Sequence, residues 1–154
     1  MKFVQEFEEA LSAFEAYQVN YMLVGGYAVN FHGYERTTGD LDIWVKPSIE
    51  NMDRILSALK FMDFDNESIN HIKGFDVKQP FLFHIGDDPY DIEVFNFVTG
   101  VKYEDAEPHK IPFQYSEKLS VYFISIHDLI VNKMIAGRPK DKLDVEMLQR
   151  IQKL

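Results

Sequence analysis

Residues 23–45 read LVGGYAVNFHGYERTTGDLDIWV, and the rest of the chain is best understood outward from this stretch. Tyr21–Val24 is short and apolar and runs into Gly25-Gly26, the pattern of a strand ending in a tight turn. A short helix is expected over 27–32, with Gly33 after His32 as its stop. Leu41–Val45 is rich in β-forming residues and is halted by Pro47, which predicts a second strand. Asp40 and Asp42 are two apart, so both carboxylates point to one face while Leu41 and Ile43 point to the core. A strand gains nothing from two like charges side by side. Their repulsion and partial desolvation raise a pKa or destabilise the fold unless a cation sits between them. Two hard divalent ions about 3.5–4 Å apart resolve the repulsion, and that arrangement serves phosphoryl and nucleotidyl transfer.

Such a site calls for a third carboxylate from a neighbouring strand. Phe81–Ile85 and Tyr90–Phe95 read as two strands joined by Gly86-Asp87-Asp88-Pro89, a hairpin signal. The second supplies Asp91 and Glu93, again on one face; Asp91 is the first choice and Glu93 the fallback. An isolated Asp-x-Asp ordinarily marks a solvated strand face, and Gly-Gly ordinarily marks a plain turn. It is their succession that points to chemistry, because free backbone N–H groups at a helix start form a phosphate cradle beside the acids.

Further out, Phe3, Phe7, Leu11 and Phe14 recur at helical spacing and predict an amphipathic helix over 2–17. Ser48 caps a helix running to about Lys60. A strand is expected at Val121–Ile124, then a helix capped by Ser125 and stopped by Gly137 and Pro139, then a last helix over about 140–152. Residues 61–80 and 100–118 carry no clear signal. The expectation is one α+β domain over 1–154, a small mixed sheet with helices packed against it.

Composition narrows the function classes. The 154 residues are 46% hydrophobic and 27% charged, ordinary for a globular protein. No cysteine is present, which excludes disulfides, thiol catalysis and zinc–thiolate centres. No segment has the length of apolar sequence a membrane helix needs, and the start MKFVQEFEEA lacks a signal-peptide layout, so a cytoplasmic protein without membrane contact is expected. Sixteen basic against 25 acidic residues, net −9, argues against a broad surface for generic duplex DNA. The five histidines are dispersed without helical ligand spacing, so no histidine metal site is expected, and His32 and His127 are read as local hydrogen-bonding residues. Trp44 is expected in the core, on the strand face opposite Asp42.

Gly25-Gly26, Arg36-x-Thr38, Asp40-Leu41-Asp42 in an apolar strand, and Asp91 on a later one together resemble the nucleotidyltransferase superfamily that includes DNA polymerase β and the tRNA CCA-adding enzymes. A second block, His127-Asp128-Leu129-Ile130 through Asn132-Lys133 to Gly137-Arg138-Pro139-Lys140-Asp141 and Asp144, resembles the C-terminal signature of small stand-alone bacterial members, some of which belong to toxin–antitoxin or phage-defence systems.

The resemblance implies a minimal nucleotidyltransferase fold that uses Mg²⁺ or Mn²⁺ and a nucleoside triphosphate. Asp40 and Asp42 would bind both metals. Asp91 would bind one and activate the attacking hydroxyl. Gly25 and Gly26 would cradle phosphates, with Arg36 and Thr38 reaching phosphate or sugar. Lys133 and Arg138 would meet the triphosphate as pyrophosphate leaves. For each basic residue the plain alternative is an ion pair. Active members often carry Gly-Ser at the turn; here Gly26 stands instead, as in the CCA-adding type, so one hydroxyl ligand is missing.

The C-terminal part is too short for a separate substrate-binding domain, so the acceptor, whether tRNA, protein or small molecule, is expected to bind this domain or to arrive with a partner protein. The expected function is transfer of a nucleoside monophosphate to an acceptor hydroxyl with release of pyrophosphate. The alternative is a catalytically silent binding protein of the same fold, such as a toxin–antitoxin component or a nucleotide sensor.

Overall fold

A computed structural model describes residues 1–154. The apolar spacing near the N-terminus produces α1 (Gln5–Ala16), which buries Phe7, Ala10, Leu11 and Phe14. β1 (Tyr21–Val24) leads straight into α2 (Gly25–Phe31), so this helix begins on the glycine pair itself rather than at residue 27. β2 (Leu41–Val45) is followed by α3 (Ile49–Phe61), where the Ser48 hydroxyl accepts from the Asn51 backbone N–H at 3.1 Å. After α4 (Asn66–Lys73) come β3 (Leu82–Ile85) and β4 (Ile92–Phe95). A short α5 (Tyr103–Ala106) continues as a 3₁₀ turn and gives way to β5 (Ile111–Gln114) and β6 (Ser120–Phe123). α6 (Ile126–Ala136) ends at Gly137, whose φ of 64° forms the left-handed cap, and α7 (Pro139–Gln152) closes the chain.

The six strands form one mixed sheet in the order β3-β4-β2-β1-β6-β5. β1 and β2 are antiparallel, whereas β2 pairs in parallel with β4 and β1 with β6. The class is therefore α+β, as the sequence indicates. On one face Tyr21 and Leu23 lie across from Val45 and Ile43, and the Tyr21 ring meets Phe14 of α1 at 6.1 Å. A connected core of 36 buried residues runs through the molecule. No helix is long and apolar enough to cross a membrane.

The segments without a clear signal contain α4, α5 and β5. α4 buries only Ile72, so it shows no periodicity and is marked only by Asp65, which accepts from Ser68 N–H at 2.7 Å. β5 is an edge strand with Pro112 inside it, a residue that a central strand excludes. Trp44 is buried, as expected, but on the face not expected. Strand side chains alternate with period two, and the register Val24↔Asp42, Met22↔Trp44 puts Trp44 on the same face as Asp42.

Candidate active site

Parallel pairing of β2 with β4 sets Asp42 in register with Glu93 and Leu41 with Ile92. The Leu41 N–H donates to the Asp91 carbonyl at 3.1 Å, so Asp40 and Asp91 enter the two strands side by side. By the alternation of the pleat, all four carboxylates occupy one face. Asp42 feels this most: burial first, then the charge of Glu93 and a hydrogen bond to it, then Asp40, push its pKa from 3.8 up to about 7, with Lys140 opposing. A neutral Asp42 is thus favoured when no cation offsets its acidic neighbours. A crowded all-oxygen donor set of this kind fits a hard divalent ion.

Glu93, the fallback acid, is the one beside Asp42, while Asp91 is engaged elsewhere. His84 on β3 pairs with Glu93 across the antiparallel ladder, and its Nδ1 sits 3.0 and 2.9 Å from the two Asp91 carboxylate oxygens. Ligand atoms of His84, Asp91 and Glu93 lie within 4.8 Å of one another. Histidine spacing along the chain could not show this, because the contact is made across strands.

The glycine pair is demanded by close approach. Gly25 has φ +66°, and a Cβ there would overlap Asp42 Oδ2. A Cβ at Gly26 would overlap the Thr38 hydroxyl and come within 3.5 Å of Arg36 Nη1. Serine at position 26 is therefore excluded unless Thr38 moves. Thr38 itself puts a hydroxyl against the turn.

The three basic candidates converge on this place, each held by an aspartate. Lys133 of α6 is buried, with Nζ 2.8 Å from Asp144 Oδ2 and 3.3 Å from Asp141 Oδ1. Arg36 donates Nε and Nη2 to the two oxygens of Asp144, each at 2.9 Å. Arg138 Nε donates to Asp141 Oδ2 at 2.7 Å. Burial alone would raise Asp141, but Arg138 and Lys133 together outweigh it and hold the carboxyl below its ordinary range. Asp141 and Asp144 stand in the C-terminal signature yet drew no role from the sequence, because an aspartate three residues from another on a helix reads as a solvated face.

A cleft of about 500 Å³ is lined by Gly25, Asp42, Glu93, Lys133 and Arg138 among others. Asp40, Asp91, Arg36 and Thr38 border the region without lining that cleft. His32 is structural: its Nε2 meets the Ile124 carbonyl at 2.7 Å, and burial lowers its pKa.

Among known families, the nucleotidyl transferase AbiEii toxins of type IV toxin–antitoxin systems match residues 9–154. No curated protein matches the chain significantly.

Proposed function

Because the chain belongs to the AbiEii nucleotidyl transferase toxin family, we propose that it transfers a nucleoside monophosphate from a nucleoside triphosphate to an acceptor hydroxyl. The observation that carries this reading is the row of acids on β2 and β4, with Asp42 in register with Glu93 and packed against Gly25 of the glycine pair. In the transfer, the acceptor oxygen bonds to the α-phosphorus. The bond from that phosphorus to its bridging oxygen breaks, and pyrophosphate leaves with the electron pair.

Asp40 and Asp42, with Asp91 and Glu93 from β4, would hold Mg²⁺ or Mn²⁺. Such ions neutralise charge on the phosphates and make the acceptor hydroxyl more acidic. Asp91, oriented by His84 Nδ1, would take the hydroxyl proton. Gly25 and Gly26 let the phosphates approach the backbone with no side chain in the way, and Thr38 supplies the hydroxyl the turn lacks. Lys133 and Arg138 line the cleft and present positive charge to the departing pyrophosphate. Asp141 and Asp144 hold Lys133 and Arg36 in place before substrate arrives. A partner antitoxin protein is expected from the family's two-component systems.

The test is calorimetry with ATP, GTP, CTP and UTP in Mg²⁺ or Mn²⁺, followed by incubation with α-labelled triphosphates and cell extract. Metal-dependent triphosphate binding and a labelled acceptor are expected. No triphosphate binding with either metal overturns the proposal. Binding without any labelled product would make the protein a nucleotide-binding member of the fold.

A further inference from the structure

Asp42 is not the last side chain that β2 sends to this face. Trp44 follows one pleat further on, buried to 1%, with its ring edge-on to Tyr103 of α5 at 5.1 Å. Both residues line a second cavity of about 530 Å³, within the size range of small-ligand sites. Trp44 Nε1 is buried without a hydrogen-bond partner, whereas the Tyr103 hydroxyl turns toward the Glu107 carboxylate. Folded proteins rarely leave such a donor unpaired, and one beneath the wall of a cavity leaves an acceptor oxygen wanting on that side.

The charges at the cavity point the same way. Lys46 is paired with Glu107 at 3.4 Å. Lys78 and Lys102 also line the cavity, and neither is in an ion pair. Glu104 lines the cavity too, so three ammonium groups face two carboxylates, and in a chain of net charge −9 that local excess of positive charge favours an anion. Phe97, 59% exposed, borders both this cavity and the cleft that holds Asp42. Its open face offers a planar ring something to stack on.

We propose that this cavity is the acceptor subsite, and that the acceptor is a phosphorylated, ring-bearing molecule the size of a nucleoside monophosphate unit. Its phosphate meets Lys78 and Lys102, its ring lies on Phe97, and its hydroxyl extends past Phe97 toward Asp42. The role as acceptor rests on the nucleotidyl-transfer reading; the binding does not.

Trp44 is the protein's one tryptophan and lies on the cavity wall, so its emission is the probe of binding there. The experiment titrates AMP and UMP, with adenosine and inorganic phosphate as comparisons, into wild type, a Lys78→Ala/Lys102→Ala variant and a Lys118→Ala variant. Melting curves verify that each variant folds, and calorimetry repeats each titration. Saturable binding of a monophosphate is expected, at least tenfold tighter than adenosine or phosphate. The lysine variant should lose tenfold or more in affinity, and Lys118→Ala, which removes an ammonium group outside the cavity, should leave it unchanged.

No saturable binding of either monophosphate overturns the subsite, as does equal affinity in the folded lysine variant. Inorganic phosphate binding as tightly as AMP removes the ring from recognition and also overturns it. With α-labelled triphosphate and Mg²⁺, label should move onto the bound monophosphate. Label moving to a component of cell extract but never to the monophosphate overturns the acceptor assignment. Binding of monophosphate by a protein that binds no triphosphate would instead sink the transfer reading and leave the cavity as a phosphate-ligand site.

Discussion

Replacing Asp42 with Asn removes one charge from the acid row while keeping the side chain's shape, and its effect on stability should depend on pH. Burial and Glu93 carry the Asp42 carboxyl from 3.8 to about 7. Because the folded-state pKa is the higher one, folding takes up a proton between about pH 4 and 7, and stability falls as pH rises through that window. The full difference between neutral and ionised Asp42 corresponds to roughly 4 kcal/mol. Solvent at the open side of the cleft should reduce the realised penalty to about 1–3 kcal/mol.

At pH 5 Asp42 is protonated and donates to Glu93. The Asn amide can donate there too, so the gap between the two melting temperatures should be smaller there than at higher pH. At pH 8.5 without metal, Asn should melt higher by about 2–4 °C for each kcal/mol recovered in a chain of this length. Mg²⁺ with ATP should then reverse the order, because it stabilises wild type and finds a poor ligand in the amide. Thermal melts at pH 5, 7 and 8.5, with and without Mg²⁺–ATP, make the measurement. An Asn variant less stable than wild type at pH 8.5 without metal, with its ligand stabilisation intact, would show that Asp42 is a structural acceptor and refute the reasoning.

Three further outcomes follow from the same geometry. Gly26→Ala should cost about 1–3 kcal/mol in urea titration, since its Cβ must displace Thr38, and Thr38→Ala should relieve part of that cost. Lys133→Ala should cost about 3–5 kcal/mol by leaving Asp141 and Asp144 buried without their shared cation. In wild type the Asp141 contribution is complete above about pH 4 and is lost as pH falls through its depressed pKa, so acid unfolding of the variant should begin at higher pH. On random duplex DNA at physiological salt, a gel shift with micromolar protein should show no complex, because the chain carries net −9.

The local signals that proved legible are those whose physics is local. Apolar spacing announced α1, Ser48 and Ser125 announced the starts of α3 and α6, and Gly137 announced a left-handed cap. Period-two alternation placed Asp40 and Asp42 together on one face, though the same rule applied to Trp44 would have put it there as well. α4 and β5 stayed hidden because one has a single buried residue and the other is an exposed edge carrying proline.

What the sequence by itself determined was the α+β class, the Gly-Gly turn and the two acid pairs, since each depends on neighbours within a few residues. Which acid stands beside Asp42 was decided by the parallel register of β2 and β4, which sets Glu93 there and leaves Asp91 to His84. That Arg36, Lys133 and Arg138 surround one turn, held by Asp141 and Asp144, was likewise decided by tertiary packing. Arg36 and Asp144 are 108 positions apart, and only the packing of α7 on α6 and of α6 on α2 brings them together. Charge pairing and desolvation act through space, so they become visible once the fold has set the distances.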